Sequence, residues 1–151
     1  MIIHVRAAKY GEEVYLSDLA IRSKAYWGYS LEFLDACRPH IKIDSAYIKD
    51  WPVEVLEKDG IIIGFYSLKK INNENRLDNL WIEPNFVKNG FGKILFTHAI
   101  SRAKALGWDS FRLAGEPGAV VFYEKMGVKL IGQVQSRLRS DLLLPHMEIK
   151  F

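Results

Sequence analysis

The segment Ile82-Glu83-Pro84-Asn85-Phe86-Val87-Lys88-Asn89-Gly90-Phe91-Gly92-Lys93 joins an apolar stretch, stopped by a proline, to a long run with helical apolar spacing. A helix starting here leaves its first N–H groups without intrahelical acceptors. Its dipole adds partial positive charge at the same end. Gly90 and Gly92 remove side chains that would block close approach, and Lys88 and Lys93 add full charges. Together these features suit an anion cradle. The same glycines would equally serve only to ease a strand-to-helix turn. Two other phosphate motifs fail on spacing. A dinucleotide fingerprint needs a third glycine where Leu95 stands, and a P-loop needs Ser or Thr after Lys93, where Ile94 stands.

Other chemistry-bearing residues stand further along. Asp78 lies four residues before Ile82 on a predicted strand, and alternation places those two side chains on one face. Asp78 could take a proton from an amine, directly or through water, or be a surface carboxylate. Glu116 precedes a short helix, where an acid also stabilises the dipole. Tyr123 falls on the apolar side of that helix, so periodicity alone reads it as a core tyrosine. A phenol with a pKa of ~10 nevertheless keeps its proton at neutral pH and can donate it. Tyr26, Trp27, Tyr29 and Phe33 cluster in sequence, with Trp51 further on. Trp27 and Tyr29 flank Gly28 in a helix break and are the better ligand candidates, whereas Phe33 and Trp51 read as core. Arg22 could pair with a carboxylate, although a solvated helix face explains it as well. His4, His40, His98 and His146 lack metal-ligand spacing, so no metal is expected. No G-x-S-x-G elbow is present.

The elements that must position these residues follow from periodicity. Ile2 to Arg6 is a predicted opening strand. Val14, Leu16, Leu19, Ala20 and Ala25 predict an amphipathic helix over 11 to 25. Ser30 can cap a second short helix that Pro39 ends, and Asp44 can cap a further turn before Trp51-Pro52. Val53–Glu57, Ile61–Leu68 and Arg76–Ile82 are predicted strands. Asp59-Gly60 turns the first pair and residues 72 to 75 the second. A long helix over 91 to 106 ends at Gly107. Then come a strand over Ser110–Ala114, a short helix with Pro117 in its first turn and Gly127 at its end, and two closing strands, Val128–Ile131 and Leu138–Ile149. Pro145 requires an edge or a bulge there. The expected class is α/β, a mixed sheet with helices on both faces.

Composition agrees with a globular chain. The 151 residues are 49% hydrophobic and 26% charged, with a net charge of +3. That charge is too small and too scattered to argue for nucleic acid. The single cysteine, Cys37, excludes an internal disulfide and suits a reducing compartment. No apolar stretch reaches the roughly 20 residues of a membrane helix, and the N-terminus lacks a signal-peptide pattern. The expected setting is cytoplasmic, with no membrane partner.

The 82–93 segment resembles the acetyl-CoA signature of the GNAT superfamily of N-acetyltransferases. Ile82 and Pro84 match its strand end, and Gly90 and Gly92 match its glycines. Val87 stands where Gln or Arg is usual. Residues 116 to 127 resemble the second signature through Ala119, Tyr123 and Gly127, with Glu116 in place of the usual Asn. Residues 22 to 29 and 144 to 148 resemble a recurring bacterial subgroup of that superfamily. The resemblance covers nearly the whole chain. It implies the GNAT fold, a mostly antiparallel, splayed sheet of about seven strands in one domain over residues 1–151. It further implies acetyl-CoA as co-substrate, without a metal, and a direct transfer to a primary amine in a ternary complex.

By the same resemblance, Leu80, Trp81 and Ile82 would pair with the pantetheine arm. Val87, Lys88, Asn89, Gly90, Phe91, Gly92 and Lys93 would hold the diphosphate, and Glu116, Ala119, Phe122 and Tyr123 would complete the coenzyme site. Tyr123 is the expected general acid and Asp78 the candidate base, with Glu116 as its rival; no base is strictly required. Trp27, Tyr29 and Arg22 are the substrate candidates, because the first helices of this superfamily wall the acceptor site. A small-molecule amine is the expected acceptor. A protein amine, or a CoA-binding module without catalysis, remains open, and a homodimer is compatible with the fold.

Overall fold

A computed structural model describes residues 2–136, 139 and 141–151. Its element order is β1 (Ile3–Ala7), α1 (Glu13–Ala25), α2 (Leu31–Cys37), α3 (Ser45–Asp50), β2 (Val53–Lys58), β3 (Ile61–Ile71), β4 (Glu74–Ile82), α4 (Phe91–Ala105), β5 (Ser110–Ala114), α5 (Val120–Lys125), β6 (Lys129–Gln135) and β7 (Leu143–Lys150). Among the described residues the strands form one seven-stranded sheet in the order β1-β2-β3-β4-β5-β7-β6. Every neighbouring pair is antiparallel except β4 and β5. The α/β class, with helices on both faces, is the one expected.

Local chemistry explains the element ends. Asp59 and Gly60 both take positive φ (51° and 83°), the geometry of a tight hairpin turn. Asn72 and Asn73 do the same at 50° and 63°, so the second turn needs two residues and β4 begins at Glu74. Ser30 and Asp44 cap α2 and α3 by accepting from the N–H groups of Phe33 and Tyr47. The last strand begins at Leu143, later than expected; Leu138 lies outside the described residues. Pro145 sits on an interior strand rather than an edge. Its carbonyl accepts from Gly115 N–H. Its missing donor therefore faces the same side, where β5 has already ended at Ala114. The ladder bulge lies in the neighbouring β6, between Leu130 and Gly132.

Two main cores hold the layers. One side packs α4 and α5 on the sheet through Leu95, Phe96, Ala99, Ala103, Phe111 and Met147. The other packs α1 and α3 through Leu16, Leu19, Ala20, Val55 and Phe65. Cys37 is buried in a smaller cluster with Ile21 and Leu34, and burial pushes its thiol up. Among the described residues no helix is long and apolar enough to cross a membrane.

Two irregularities shape the centre. β4 and β5 share only the register pair Arg76–Arg112, so they touch at one end and part at the other. In β4, Asn79 pairs with Ser67 and Leu77 with Leu68, leaving Asp78 as an extra residue, a β-bulge. The bulge overturns the alternation argument. Leu77 and Ile82 both face the α4 side, whereas Asp78 bonds Tyr47 on α3. Asp78 and Ile82 therefore do not share a face.

Gly64 on β3 backs the functional end of β4. A Cβ there would stand 2.7 Å from Ile82 Cδ1 and 2.8 Å from the Trp81 carbonyl oxygen. Gly64→Ala is expected to destabilise the protein by about 2 kcal/mol. A lower urea midpoint with an unchanged m-value would register this.

Candidate functional site

Where β4 and β5 diverge, a cavity of about 850 Å³ opens between them. Its walls come from the ends of both strands, the starts of α4 and α5, the C-terminal end of α1 and the loop before α3. The position follows from strand pairing. Glu83 N–H bonds the Ile63 carbonyl on β3. In an antiparallel ladder alternate residues face alternate neighbours. Leu80 and Ile82 therefore turn their backbone polar groups toward the parted β5. Ile82 N–H meets Ser23 Oγ on α1 at 3.3 Å. The Leu80 groups face the gap.

The far end of the cavity is a loop of backbone donors. A 3-10 turn over Pro84–Phe86 follows β4. Lys88 then takes φ 67° and Gly90 φ 84° before α4 begins at Phe91. Among the described residues, none of the N–H groups of residues 88 to 93 finds an acceptor. The first helical acceptor pairing is Ile94 N–H to the Gly90 carbonyl, at 3.3 Å. Unmet donors at the start of a 15-residue helix, with Lys88 and Lys93 alongside, make a concentrated anion site. Gly92 also allows close approach: a Cβ there would lie 3.2 Å from the Phe122 ring. Val87, Lys88, Gly90, Gly92 and Lys93 line the cavity; Asn89 and Phe91 do not. The Asn89 amide donates to the Val87 carbonyl, and Phe91 is buried against Phe86.

Leu80, Trp81, Ile82, Asp78, Glu116, Ala119, Phe122 and Tyr123 all line the same cavity. Tyr123 is buried among Phe96, Phe122 and Gly115. Its hydroxyl has no hydrogen-bond partner among the described residues. Burial, and secondarily the Glu116 carboxylate, raise its pKa above the usual phenol value. The proton is therefore held firmly until an acceptor with a basic lone pair arrives.

The substrate candidates separate. Trp27 lines the cavity, its ring pressed on Gly118, where a Cβ would come within 2.5 Å of it. Tyr26 stacks edge-on against Trp27 at 5.1 Å and also lines the wall. Tyr29 does not. Its hydroxyl donates to Glu116 Oε2 at 2.5 Å, and burial followed by that bond raises its pKa. Arg22 does not reach the cavity either; it is paired with Glu83 and lies over the Tyr15 ring. That pairing takes up the charge that would have met a ligand carboxylate.

Sequence reasoning missed Lys24. Its ammonium bonds Glu116 Oε1 at 2.5 Å, with both side chains only 10% exposed. It also lies 4.7 Å from the Tyr29 ring centroid. A signal was present: Leu16, Leu19, Ala20, Ser23 and Lys24 are all buried on α1. A lysine on the buried stripe of a helix demands a partner. Tyr47, Ser67 and Asn79 were also missed, and no motif in the chain pointed to them.

Residues 49–129 match the family model described as an acetyltransferase (GNAT) domain. The chain belongs to the GNAT acetyltransferase family. Solved structures agree in fold. The PaiA N-acetyltransferase of Thermoplasma acidophilum, in complex with coenzyme A, superposes with a TM-score of 0.82 at 23% identity, covering 100% of both chains. A GCN5-related N-acetyltransferase of Rhodopseudomonas palustris gives 0.82 at 18%, covering 100% of this chain and 99% of that one. A GNAT family acetyltransferase of Elizabethkingia anophelis with acetyl-CoA bound gives 0.69 at 16%, over 99% and 98%. No curated protein matches this chain by sequence.

In this GNAT chain the Lys24–Glu116 pair joins α1 to the turn before α5. Removing one partner leaves an uncompensated buried charge. Glu116→Gln is expected to lower unfolding free energy by about 3 kcal/mol. The double change Lys24→Met with Glu116→Leu should recover most of that loss. Urea melts of the three proteins measure both effects.

Proposed function

We propose that this protein transfers an acetyl group from acetyl-CoA to a primary amine on a small molecule, in a direct ternary complex. The observation that carries this reading is the run of unpaired amides at residues 88 to 93, opening onto the gap between β4 and β5. A diphosphate suits those amides and the lysines beside them. An extended amide-bearing arm suits the backbone groups of Leu80 and the Ile82 carbonyl, which face the gap left by β5. Acetyl-CoA supplies an activated acyl thioester at the inner end of that path.

The residues of the chain do the rest. The anion cradle and β4 backbone hold the coenzyme, with Ala119 and Phe122 packing beside it. A backbone N–H of β4 faces the thioester oxygen and stabilises developing negative charge there. Tyr123, protonated at neutral pH and free of other partners among the described residues, gives its proton to the departing sulfur. Asp78 accepts the proton of the incoming amine. Glu116 is unsuited to that task, because Lys24 and Tyr29 already occupy its two oxygens. Trp27 and Tyr26 wall the acceptor end.

The test has two parts. Calorimetry with CoA alone should show saturable binding; absence of binding by folded protein would remove the basis of the reading. Thiol release from acetyl-CoA with a panel of small amines should then reveal turnover. Tyr123→Phe should lower kcat by about 100-fold or more, while CoA affinity stays within a few fold. Binding without turnover across the panel would favour a CoA-binding module, and turnover confined to protein amines would move the acceptor class.

A further inference from the structure

The bulged residue Asp78 ends a chain of hydrogen bonds that crosses three elements. Trp81 Nε1 donates to Asn79 Oδ1 at 2.8 Å. Asn79 Nδ2 donates to Ser67 Oγ at 2.8 Å. Ser67 Oγ and Tyr47 Oη are 2.9 Å apart. Tyr47 Oη donates to Asp78 Oδ2 at 2.6 Å. The direction is forced at both ends. An indole N–H can only donate, and an ionised carboxylate can only accept. Asn79 must therefore present its oxygen to Trp81 and its amide nitrogen to Ser67. Tyr47 gives its one proton to Asp78, so it must accept from Ser67. Every donor in the chain points toward Asp78.

Such an aligned chain polarises each member in the same sense, so the last bond is strengthened by those before it. Ser67 and Asn79 are buried, where the effect is least screened. Burial, then the Asp78 carboxylate, hold the Tyr47 phenol above its ordinary pKa, so it remains a donor. All these donors are neutral. They orient the carboxylate and stabilise its charge without cancelling it.

The surrounding charges sharpen the point. Among the described residues lining the cavity the carboxylates are Asp78 and Glu116. Glu116 is neutralised by Lys24 at 2.5 Å. Asp78 has no cation in ion-pair contact among the described residues. Lys69 on β3 lies over the Tyr47 ring, 5.3 Å from its centroid. From the loop between α2 and α3, His40 and Lys42 line the cavity wall.

We infer that Asp78, held by the Trp81–Asn79–Ser67–Tyr47 chain, is the seat for an acceptor that arrives as an alkylammonium ion. Neutral arylamines and alcohols are then disfavoured, and Tyr47 is a positioning residue that acts through Asp78. The inference rests on the transferase reading for its role in turnover, but not for its binding prediction. In the reaction the seated ammonium gives one proton to Asp78, and its nitrogen lone pair then forms the new bond to the acyl carbon. The carbon–sulfur bond breaks, the sulfur takes the Tyr123 proton, the second proton leaving the nitrogen restores the Tyr123 phenol, and Asp78 passes its proton to solvent.

Calorimetry on the CoA-loaded protein tests the seat without needing turnover. The probes are benzylammonium and 2-phenylethylammonium, each against its matched alcohol. The wild type should bind the ammonium ions at least about tenfold more tightly than the alcohols, and Asp78→Asn should abolish that preference. Tyr47→Phe removes the donor that orients the Asp78 carboxylate. The ammonium-over-alcohol preference should fall by about fivefold in Tyr47→Phe, with CoA affinity unchanged, and by less in Ser67→Ala. Ammonium binding that depends on Asp78 without any acetyl transfer would support the seat and sink the transferase reading. Turnover with an unchanged ammonium preference in Tyr47→Phe, or with alcohols bound as well as ammonium ions, would overturn the seat and leave the transferase standing. No ammonium binding by folded, CoA-loaded protein overturns it outright.

Discussion

The parallel contact between β4 and β5 is made at one end only, and the rest of the molecule is organised around that partial pairing. At the closed end Asn75 Nδ2 donates to the Ser110 carbonyl at 3.2 Å. Arg112 bridges Glu74 at 3.1 Å and Glu148 at 2.8 Å. Arg112 is 41% exposed, so those ion pairs contribute little energy individually; they mainly fix which end stays shut. Beyond Arg76 the ladder stops. Backbone groups that would be satisfied in a complete sheet then face a void, and a buried backbone group without a partner is costly. Ser23 covers one of them. The others stay open to a ligand, so a gap in sheet pairing leaves a row of donors and acceptors lining the cavity.

A split sheet needs something to span the split. Here that role falls to α1 and the segment following β5. Trp27 lies on Gly118, and Lys24 and Tyr29 grip the two oxygens of Glu116. These contacts tie the β4 side to the β5 side across the cavity mouth. A buried ion pair is not an efficient source of stability, because desolvation offsets much of its attraction. Its value here is geometric. The pair fixes the distance between α1 and the turn that leads into α5, and apolar contacts alone would let that distance slide.

How much of this was legible in the sequence depended on the range of the interaction. Elements set by local chemistry were readable. Asp59-Gly60 needs positive φ, Ser30 and Asp44 have acceptor side chains for caps, and Phe91 to Ala103 repeat at helical spacing. The turn before α4 was readable for the same reason, since glycines before a long helix act within a few residues. The Asp78 bulge was not. Nothing in Arg76–Ile82 marks one strand residue as extra; the mismatch exists only against β3, and a one-residue slip exchanges the faces. Arg22 was named as a candidate partner for a carboxylate, and Lys24 was not named at all. Helical position decides otherwise: Lys24 falls on the buried stripe and Arg22 on the rim, within reach of Glu83.

The two cavity carboxylates show why placement, rather than residue type, separates their chemistry. Glu116 receives a cation and a phenol, so its charge is cancelled and its lone pairs are spent on holding helices together. Asp78 receives a single phenol at the end of a neutral, aligned chain, so it is oriented but keeps its net charge. One acid is thereby assigned to architecture and the other is left with an attraction for cations. That division depends on the bulge. Without the extra residue, Asp78 would turn toward the α4 face with Ile82, away from Tyr47, and its carboxylate would have to be buried among Leu95 and Phe96 or be lost. The irregularity in β4 is thus the feature that makes an oriented carboxylate at the cavity compatible with an apolar core on the opposite face of the same strand.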